Sequence, residues 1–213
     1  MNPDLIDQIA NQLGPNGLPY VVPIHPNLVH LTLGLFIVAI SFDIVGALFP
    51  LEKRVFKFLA IPASSSNFYD VGWFNMVAAA VITFPTVAAG FYEMLLAQPP
   101  SDGTSAWGLE SLETMLWHGV GGVLLLALIT GMAIWRGFQR YVWRKDRARQ
   151  VQWSYLVAGL GIFVLMFAHG TLGAQLAAEF GVHISADRLL RAGEDLTILN
   201  VIQPWLSIAW NIT

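Results

Sequence analysis

The sequence predicts an all-α membrane protein: a four-helix transmembrane bundle of up-down-up-down topology, with short interfacial helices at both termini. Composition is the first observation, because 55% of the 213 residues are hydrophobic and only 12% are charged, roughly half the charged fraction of a soluble domain. The second is that the apolar residues gather into four blocks, each longer than the roughly 20 residues that cross the hydrocarbon of a bilayer. The third is the distribution of basic residues, which gives the bundle an orientation.

The four apolar blocks have recognisable ends. The predicted spans are Pro26–Phe49, Asp70–Ala97, Ser111–Phe138 and Trp153–Phe180. Pro50 is expected to end the first helix, and Pro85 predicts a kink or local unwinding within the second. Asp70 and Ser111 are expected to cap their helices, since short polar side chains bond the free N–H groups at helix starts. Gly181 is the expected stop after the fourth span.

The basic residues concentrate on one side of the predicted bundle. Nine cations lie in or beside the connections between the first and second and between the third and fourth spans: Lys53, Arg54, Lys57, Arg136, Arg140, Arg144, Lys145, Arg147 and Arg149. Short loops rich in Lys and Arg mark the cytoplasmic side of a membrane. Both termini are therefore expected to be periplasmic or lumenal, and the protein is predicted to be integral to a bacterial plasma membrane or a thylakoid membrane.

Three regions follow from this layout. Residues 1–23 are an N-terminal amphipathic segment outside the membrane, residues 24–182 the four-helix domain, and residues 183–213 an interfacial tail. Asp4–Leu13 is predicted to be a short surface helix, because its apolar residues recur at helical spacing. The chain has no Cys, which excludes disulfides, thiolate-ligated iron–sulfur clusters and covalently attached c-type haem. Membrane lipid is an expected partner, and nucleic acid is not.

The histidines are the residues most able to carry chemistry. Three of the five lie in the non-cytoplasmic half of the spans: His30, His118 and His169. The other two, His25 and His183, lie at the entry of the first span and at the exit of the fourth. Ionisable residues within a membrane are costly and are usually functional. The chemistry is therefore expected near the outer surface.

Each intramembrane histidine is followed four residues later by a glycine. The pairs are His30 with Gly34, His118 with Gly122 and His169 with Gly173. Positions four apart share a helix face, so each imidazole is expected to have a bare patch of backbone one turn away. A porphyrin held between helices needs both an imidazole and close backbone. The pattern predicts that residues 24–182 bind haem b, as one haem or two.

The topology suggests which histidines act together. The first and third helices of such a bundle are diagonal and parallel, so His30 and His118 are expected to face each other as axial ligands of one haem b. His169 is then expected to ligate a second haem with His25, to bind a propionate, or to line a quinone pocket. Two other interpretations stay open: another metal or quinone site, and helix packing alone.

Two carboxylates within the spans are weaker candidates. Asp43, near the cytoplasmic end of the first span, belongs either to a proton path or to a helix-end cap or ion pair with a nearby Arg. Glu93, near the outer end of the second span, either accepts a proton from a quinol or is an interfacial carboxylate that reaches water.

A family resemblance begins at the first span. Residues Ile24–His30 read IHPNLVH, which resembles the His-Pro-x-x-Val-His signature of small four-helix bacterial membrane proteins catalogued as domain-of-unknown-function family 2231. The resemblance continues through His118 and through Leu172–Leu176, where LGAQL is similar to the family's Leu-Gly-Gly-Glu-Leu. It covers about Pro23–Val182. Family members often have a His soon after that stretch, whereas residues 177–180 contain none.

The resemblance also bears on function. Members of that family resemble b-type cytochromes, some are fused to Rieske domains, and some are encoded beside terminal oxidases. This implies electron transfer near quinol and cytochrome on the outer face. The leading hypothesis is a membrane b-type cytochrome that passes electrons between quinol and a respiratory or photosynthetic complex, as an electron-transfer protein rather than an independent enzyme. The alternatives are a non-catalytic structural or assembly subunit of such a complex, and a small transporter or channel.

Overall fold

Four long helices account for almost all of the structure. The computed structural model describes residues 13, 16–20, 22–60, 62, 64–97, 103–143 and 151–184. The helices are α1 (Ile24–Phe58), α2 (Ser65–Leu96), α3 (Ser111–Tyr141) and α4 (Trp153–Ala178). The interfacial helices predicted at the two termini fall outside the described residues, apart from Leu13, and so does the basic stretch 144–150.

The helices form the predicted bundle. Each of the four is long and apolar enough to cross a membrane. Neighbours in the chain pack side by side and α1 also contacts α4, which closes the bundle. His25 of α1 lies on Gly90 of α2 while Asp43 lies on Gly72, so these two helices run in opposite directions. The all-α four-helix fold is thus confirmed, whereas the orientation in the membrane stays a prediction.

The first helix does not stop where the sequence suggested. Helix α1 continues through Pro50 to Phe58, although the part of it that qualifies as a membrane span ends at Phe49. A proline lacks one N–H, so it removes one backbone hydrogen bond without obliging the following residues to leave the helix. The prediction that Pro50 ends the helix was therefore wrong. Helix α2 likewise runs without interruption past Pro85.

The capping residues also differ from those expected. Helix α2 begins earlier, and Ser64 caps it by accepting the Asn67 N–H. Asp70 lies one turn inside that helix. The N-cap of α3 is Glu110, which forms a capping box with Glu113 and leaves Ser111 as the first helical residue. More than one polar residue at each start could serve as the cap, so composition alone could not select it. The stop after α4 is confirmed, because Gly181 has φ +66°.

The core follows one heptad pattern in all four helices. The buried core positions recur at alternating spacings of three and four residues: Thr32, Phe36, Ala39 and Asp43 in α1; Gly72, Met76, Ala79, Thr83 and Thr86 in α2; Leu125, Ile129, Met132 and Arg136 in α3; and Tyr155, Gly159, Ile162 and Met166 in α4. This is the knobs-into-holes spacing of coiled coils and antiparallel bundles. The residues therefore stack in layers along the core.

Small residues let the helices approach closely within these layers. Tyr69 covers Gly46, Ile40 covers Gly159, and Trp73 covers Gly137. Lipid tails are as apolar as the helix faces, so close van der Waals packing and polar contacts hold a membrane bundle together. The middle layers are mostly apolar. The polar side chains are left at the two ends, where they form the two features described next.

Candidate functional site

Three imidazoles from three helices meet near one end of the bundle. The rings of His25 in α1 and His118 in α3 have centroids 5.9 Å apart and are nearly perpendicular, at 82°. The rings of His118 and His169 in α4 are stacked, with centroids 4.3 Å apart and planes 3° apart. We call His25, His118 and His169 the imidazole cluster. The sequence predicted that these residues carry the chemistry, and the structure brings them together.

His30 lies apart from this cluster. Its side chain is exposed, and its Nδ1 is 2.6 Å from the Pro26 carbonyl on its own helix. Five residues rotate a helix by about 140°, so His30 and His25 cannot both face the core. The expected ring pair across the diagonal of the bundle therefore forms between His25 and His118, and the expected facing of His30 and His118 was wrong.

Each of the three rings packs against a glycine, which belongs to a neighbouring helix and not to the helix of the histidine itself. A Cβ on Gly90 would lie 2.8 Å from the His25 ring, one on Gly173 would lie 2.9 Å from His118, and one on Gly121 would lie 2.5 Å from His169. These three glycines have no room for a side chain. The predicted patch at Gly173 is thus filled by His118 from α3.

The other two predicted patches are different. Gly122 has only the edge of His169 near it, at 3.9 Å, and Gly34 has nothing within 4 Å. We call a glycine that packs closely against an imidazole of a neighbouring helix a ring cradle. Of the three glycines given by the His-x-x-x-Gly spacing, only Gly173 is a ring cradle. Gly121, which the spacing does not include, is the closest cradle of all. A rule that paired each histidine with glycines on other helices would have found it.

The three rings differ in their hydrogen bonds. His25 Nδ1 is 2.9 Å from the carbonyl oxygen of Thr86, and since a carbonyl only accepts, this nitrogen must donate and leave the lone pair on Nε2. The Nδ1 atoms of His118 and His169 are buried without a hydrogen-bond partner. A buried polar group left unpaired costs about 1–3 kcal/mol. The cluster thus contains one anchored ring and two with unsatisfied nitrogens.

Glu93 holds the start of α1 beside the cluster. Its side chain is buried, and Oε1 accepts three hydrogen bonds: from the Tyr20 hydroxyl at 2.9 Å, the Ile24 N–H at 2.8 Å and the His25 N–H at 3.0 Å. A carboxylate at a helix N-terminus satisfies free N–H groups and favours the helix dipole. The interpretation of Glu93 as a carboxylate reaching water was wrong. Burial is the main cause that raises the pKa of the Tyr20 phenol, and the hydrogen bond to Glu93 is the second.

His183 links the segments that flank the four helices at the same level. Its two ring nitrogens lie 3.1 Å from the Asn16 carbonyl and 2.9 Å from the Glu93 carbonyl. The residue has φ +60°, a conformation that costs free energy for a residue with a Cβ. Glu93 and His183 together tie α2 to the segment before α1 and to the segment after α4.

A buried ion pair occupies the opposite end of the bundle. Arg136 Nε donates to Asp43 Oδ2 at 2.9 Å and Nη2 donates to Oδ1 at 3.0 Å, and neither side chain has any exposed surface. Nη2 also lies 3.2 Å from the Tyr69 carbonyl. Of the two interpretations of Asp43, the structure has the ion pair. Arg136 was counted among the surface cations that set topology, and the structure places it in the core instead.

Within the described ranges, no group of three His, Asp or Glu side chains is arranged to hold one metal ion. The fold and the imidazole cluster define the class: a polytopic four-helix membrane protein with polar side chains at the two ends of its core. Residues 21–186 match the family described as Predicted membrane protein (DUF2231), and the chain belongs to this family. Searches of curated proteins and of solved structures gave no significant match.

Proposed function

We propose that the protein is a membrane b-type cytochrome in which His25 and His118 hold one haem near the non-cytoplasmic face. The observation that carries the proposal is the pairing of these two rings across the diagonal of the bundle. Facing helices of a four-helix bundle are a common place for a cofactor, and bis-histidine ligation from two helices uses this arrangement. His25, rather than His30, is therefore the proposed ligand from α1.

The arrangement of the rings favours this pair of histidines as the residues that would hold the group. The ring centroids of His25 and His118 are 5.9 Å apart and the ring planes are nearly perpendicular, whereas the rings of His118 and His169 are stacked at 4.3 Å and leave no space for another group between them. The donor set therefore fits a group that needs two protein ligands better than an ion that needs three.

The hydrogen bond to His25 supports the same assignment. Metal-bound histidines almost always donate their other ring N–H to a carbonyl or carboxylate, which fixes the tautomer and the ring orientation. Thr86 provides this acceptor, and the hydroxyl of Thr86 is itself bonded to Thr32 at 3.0 Å. His25 is thus held with Nε2 available. His30 has a similar bond, but it is exposed and lies on the wrong face of α1 to reach His118.

His169 is assigned a supporting role. Its ring stacks on His118 and rests against Gly121, so it restricts the orientation of that ligand. Its unpaired Nδ1 is a candidate donor to a propionate or to a quinone. Haem iron, when bound, supplies one-electron transfer. His25 and His118 would hold the group, and His169 would orient the ring of His118.

The outer location suggests the partners. The imidazole cluster lies at the start of α1, where the orientation predicted from basic residues places the periplasm or lumen. Quinol within the membrane and an acceptor at the outer face of a respiratory or photosynthetic complex are the proposed electron donor and acceptor. A channel is disfavoured, because the apolar layers around Phe36 and Ile129 separate the polar ends of the core. The alternative, a structural or assembly subunit, would dock through the tail of residues 185–213, which lies outside the described residues.

Absorption spectroscopy tests the proposal directly. The purified protein is expected to show a reduced-minus-oxidised b-type spectrum and one haem per chain in the pyridine haemochrome assay. His25→Ala and His118→Ala should each lose or strongly shift that spectrum, and His30→Ala is the matched control that should keep it. A wild-type protein without haem would refute the cytochrome. Loss of haem in His30→Ala but not in His25→Ala would refute the ligand assignment alone.

A further inference from the structure

We infer that Asp43 and Arg136 are positioning residues: their ion pair sets the register of α1 against α3 and so brings His25 opposite His118. The inference rests on the proposed function only in giving His25 and His118 the role of haem ligands. The register itself is a property of the fold. Both interactions link the same two helices, one at each end of the bundle core.

The two pairs share one geometric relation. In α1 Asp43 follows His25 by 18 residues, and in α3 Arg136 follows His118 by 18 residues. That interval is about five helical turns or about 27 Å, so each helix presents its histidine and its charged residue on the same face. A displacement of α1 along α3 that broke the ion pair would move His25 away from His118 by the same amount.

The layers between the two ends cannot set this register alone. Phe36 and Ala39 in α1 and Ile129 and Met132 in α3 are apolar residues with the same heptad spacing. A slip of three, four or seven residues would place apolar residues opposite apolar residues again. In lipid no hydrophobic driving force opposes such a slip. A buried polar pair within a mostly apolar seam is the best-attested device for fixing register.

The surroundings of the ion pair make it specific to one register. The Asp43 carboxylate rests against Gly72, where a Cβ would overlap it. Arg136 reaches the Tyr69 carbonyl as well as both carboxylate oxygens. Any other register would leave a charged carboxylate and a guanidinium apart in apolar surroundings, which is strongly unfavourable in a membrane. The pair therefore rejects the alternatives that the apolar layers allow.

Distance measurements between spin labels test the register without using haem. The chain has no Cys, so labels can be attached at Leu31→Cys in α1 and Ile134→Cys in α3, both exposed positions that lie at different depths. The test variant is Asp43→Leu/Arg136→Met, which removes both charges together. The matched control is Asp70→Asn/Arg140→Gln, which removes the partly exposed ion pair between α2 and α3.

The control should keep the narrow distance distribution and the spectrum of the parent protein. The test variant should broaden or shift the distribution by at least about 2 Å, since a slip of three or four residues moves a helix by about 5 Å. Its haem spectrum should change in parallel. An unchanged distribution in a folded test variant would overturn the inference, whether or not the protein binds haem.

A second variant covers the case in which the double substitution does not fold. Asp43→Asn keeps the size that fits against Gly72 but removes the charge that pairs with Arg136. It should also broaden the distribution, and an unchanged distribution in this variant would equally overturn the inference. If the parent protein has no haem, the proposed function fails while the distance measurements still decide the role of the ion pair.

Discussion

The two ends of the bundle core are built from the same elements and finished differently. At each end, a polar side chain of α1 meets one of α3, and a glycine of α2 lies beneath the residue from α1. At the end predicted to face the cytoplasm, which we call the inner end, Asp43 and Arg136 are fully buried and their charges are matched. At the other end, which we call the outer end, the imidazole cluster is only partly buried, and the Nδ1 atoms of His118 and His169 have no hydrogen-bond partner.

This difference separates a structural role from a functional one. A buried polar pair that satisfies itself needs nothing further and acts on the fold. Imidazoles that are drawn together without satisfying one another cost stability, and such unpaired groups concentrate where a protein binds or reacts. We therefore expect variants at the inner end to change the stability and register of the bundle. Variants at the outer end should change ligand binding first.

The largest effect on stability is expected from breaking the inner ion pair on one side. Arg136→Ala leaves the Asp43 carboxylate buried without its partner, which costs about 3–5 kcal/mol in soluble proteins. Unfolding in detergent, followed by circular dichroism, should show this loss. The control is Arg140→Ala, whose partner Asp70 is partly exposed and which should cost about 1 kcal/mol or less. Equal losses in the two variants would contradict the structural role of the inner end.

The next largest effect is expected at Glu93. Glu93→Ala removes the acceptor of three hydrogen bonds at the start of α1, and buried donors without a partner are costly. We expect a loss of about 2–3 kcal/mol, because some of these donors can reach water at the membrane surface. Glu93→Gln keeps an acceptor oxygen in place and should lose less than half as much. Glu113→Gln, at an exposed carboxylate of the α3 cap, is the matched control.

The glycines near the histidines should divide into two groups, which differ in whether substitution by alanine lowers or raises the stability. Gly121→Ala would push a Cβ against the His169 ring, so it should cost about 1–3 kcal/mol, as overpacking does. Gly34→Ala meets no atom within 4 Å and should be neutral or stabilising by up to about 1 kcal/mol, since alanine favours a helix. The same unfolding assay compares the two. A loss of equal size at Gly34 would mean that its face is covered in the membrane.

Sequence alone was sufficient for the all-α four-helix fold. Length, apolarity and the four blocks determine the number of helices, because the bilayer admits few other solutions. The heptad spacing of the core became clear only when the structure showed which residues are buried. The ends of the helices were less predictable. Pro50 and Asp70 belong to residue types that can stop, start or continue a helix, depending on what packs nearby.

The pairing of side chains across helices was not predictable from local spacing. His25 and His30 are both near the start of α1, and only the rotation of that helix about its axis decides which one faces His118. That rotation depends on contacts with α2 and α3, including the bonds from Glu93. Arg136 was misassigned for a related reason, because a basic residue close to a helix end is usually solvated. The signal in the sequence was that Asp43 follows His25, and Arg136 follows His118, by the same 18 residues.

The smallest effect is expected at Tyr20, whose hydroxyl is one of the three donors to Glu93. Tyr20→Phe should cost about 1 kcal/mol at neutral pH, the usual contribution of one hydrogen bond. Because burial and Glu93 raise the pKa of this phenol, the unfolded chain releases its proton at a lower pH than the folded protein does. The stability that Tyr20 contributes is therefore complete below about pH 10 and is lost as the pH rises above that value.

Unfolding measured between pH 8 and pH 11.5 should show this dependence as a difference between two proteins. The parent protein should lose stability more steeply above about pH 10 than Tyr20→Phe, so that their curves converge. Tyr92→Phe removes an exposed phenol next to Glu93 and is the matched control for the loss of a hydroxyl. If the curves of Tyr20→Phe and the parent were parallel, the phenol would be free in solution. Glu93 would then hold α1 only through the backbone N–H groups of Ile24 and His25. The outer end would then depend on two hydrogen bonds rather than three.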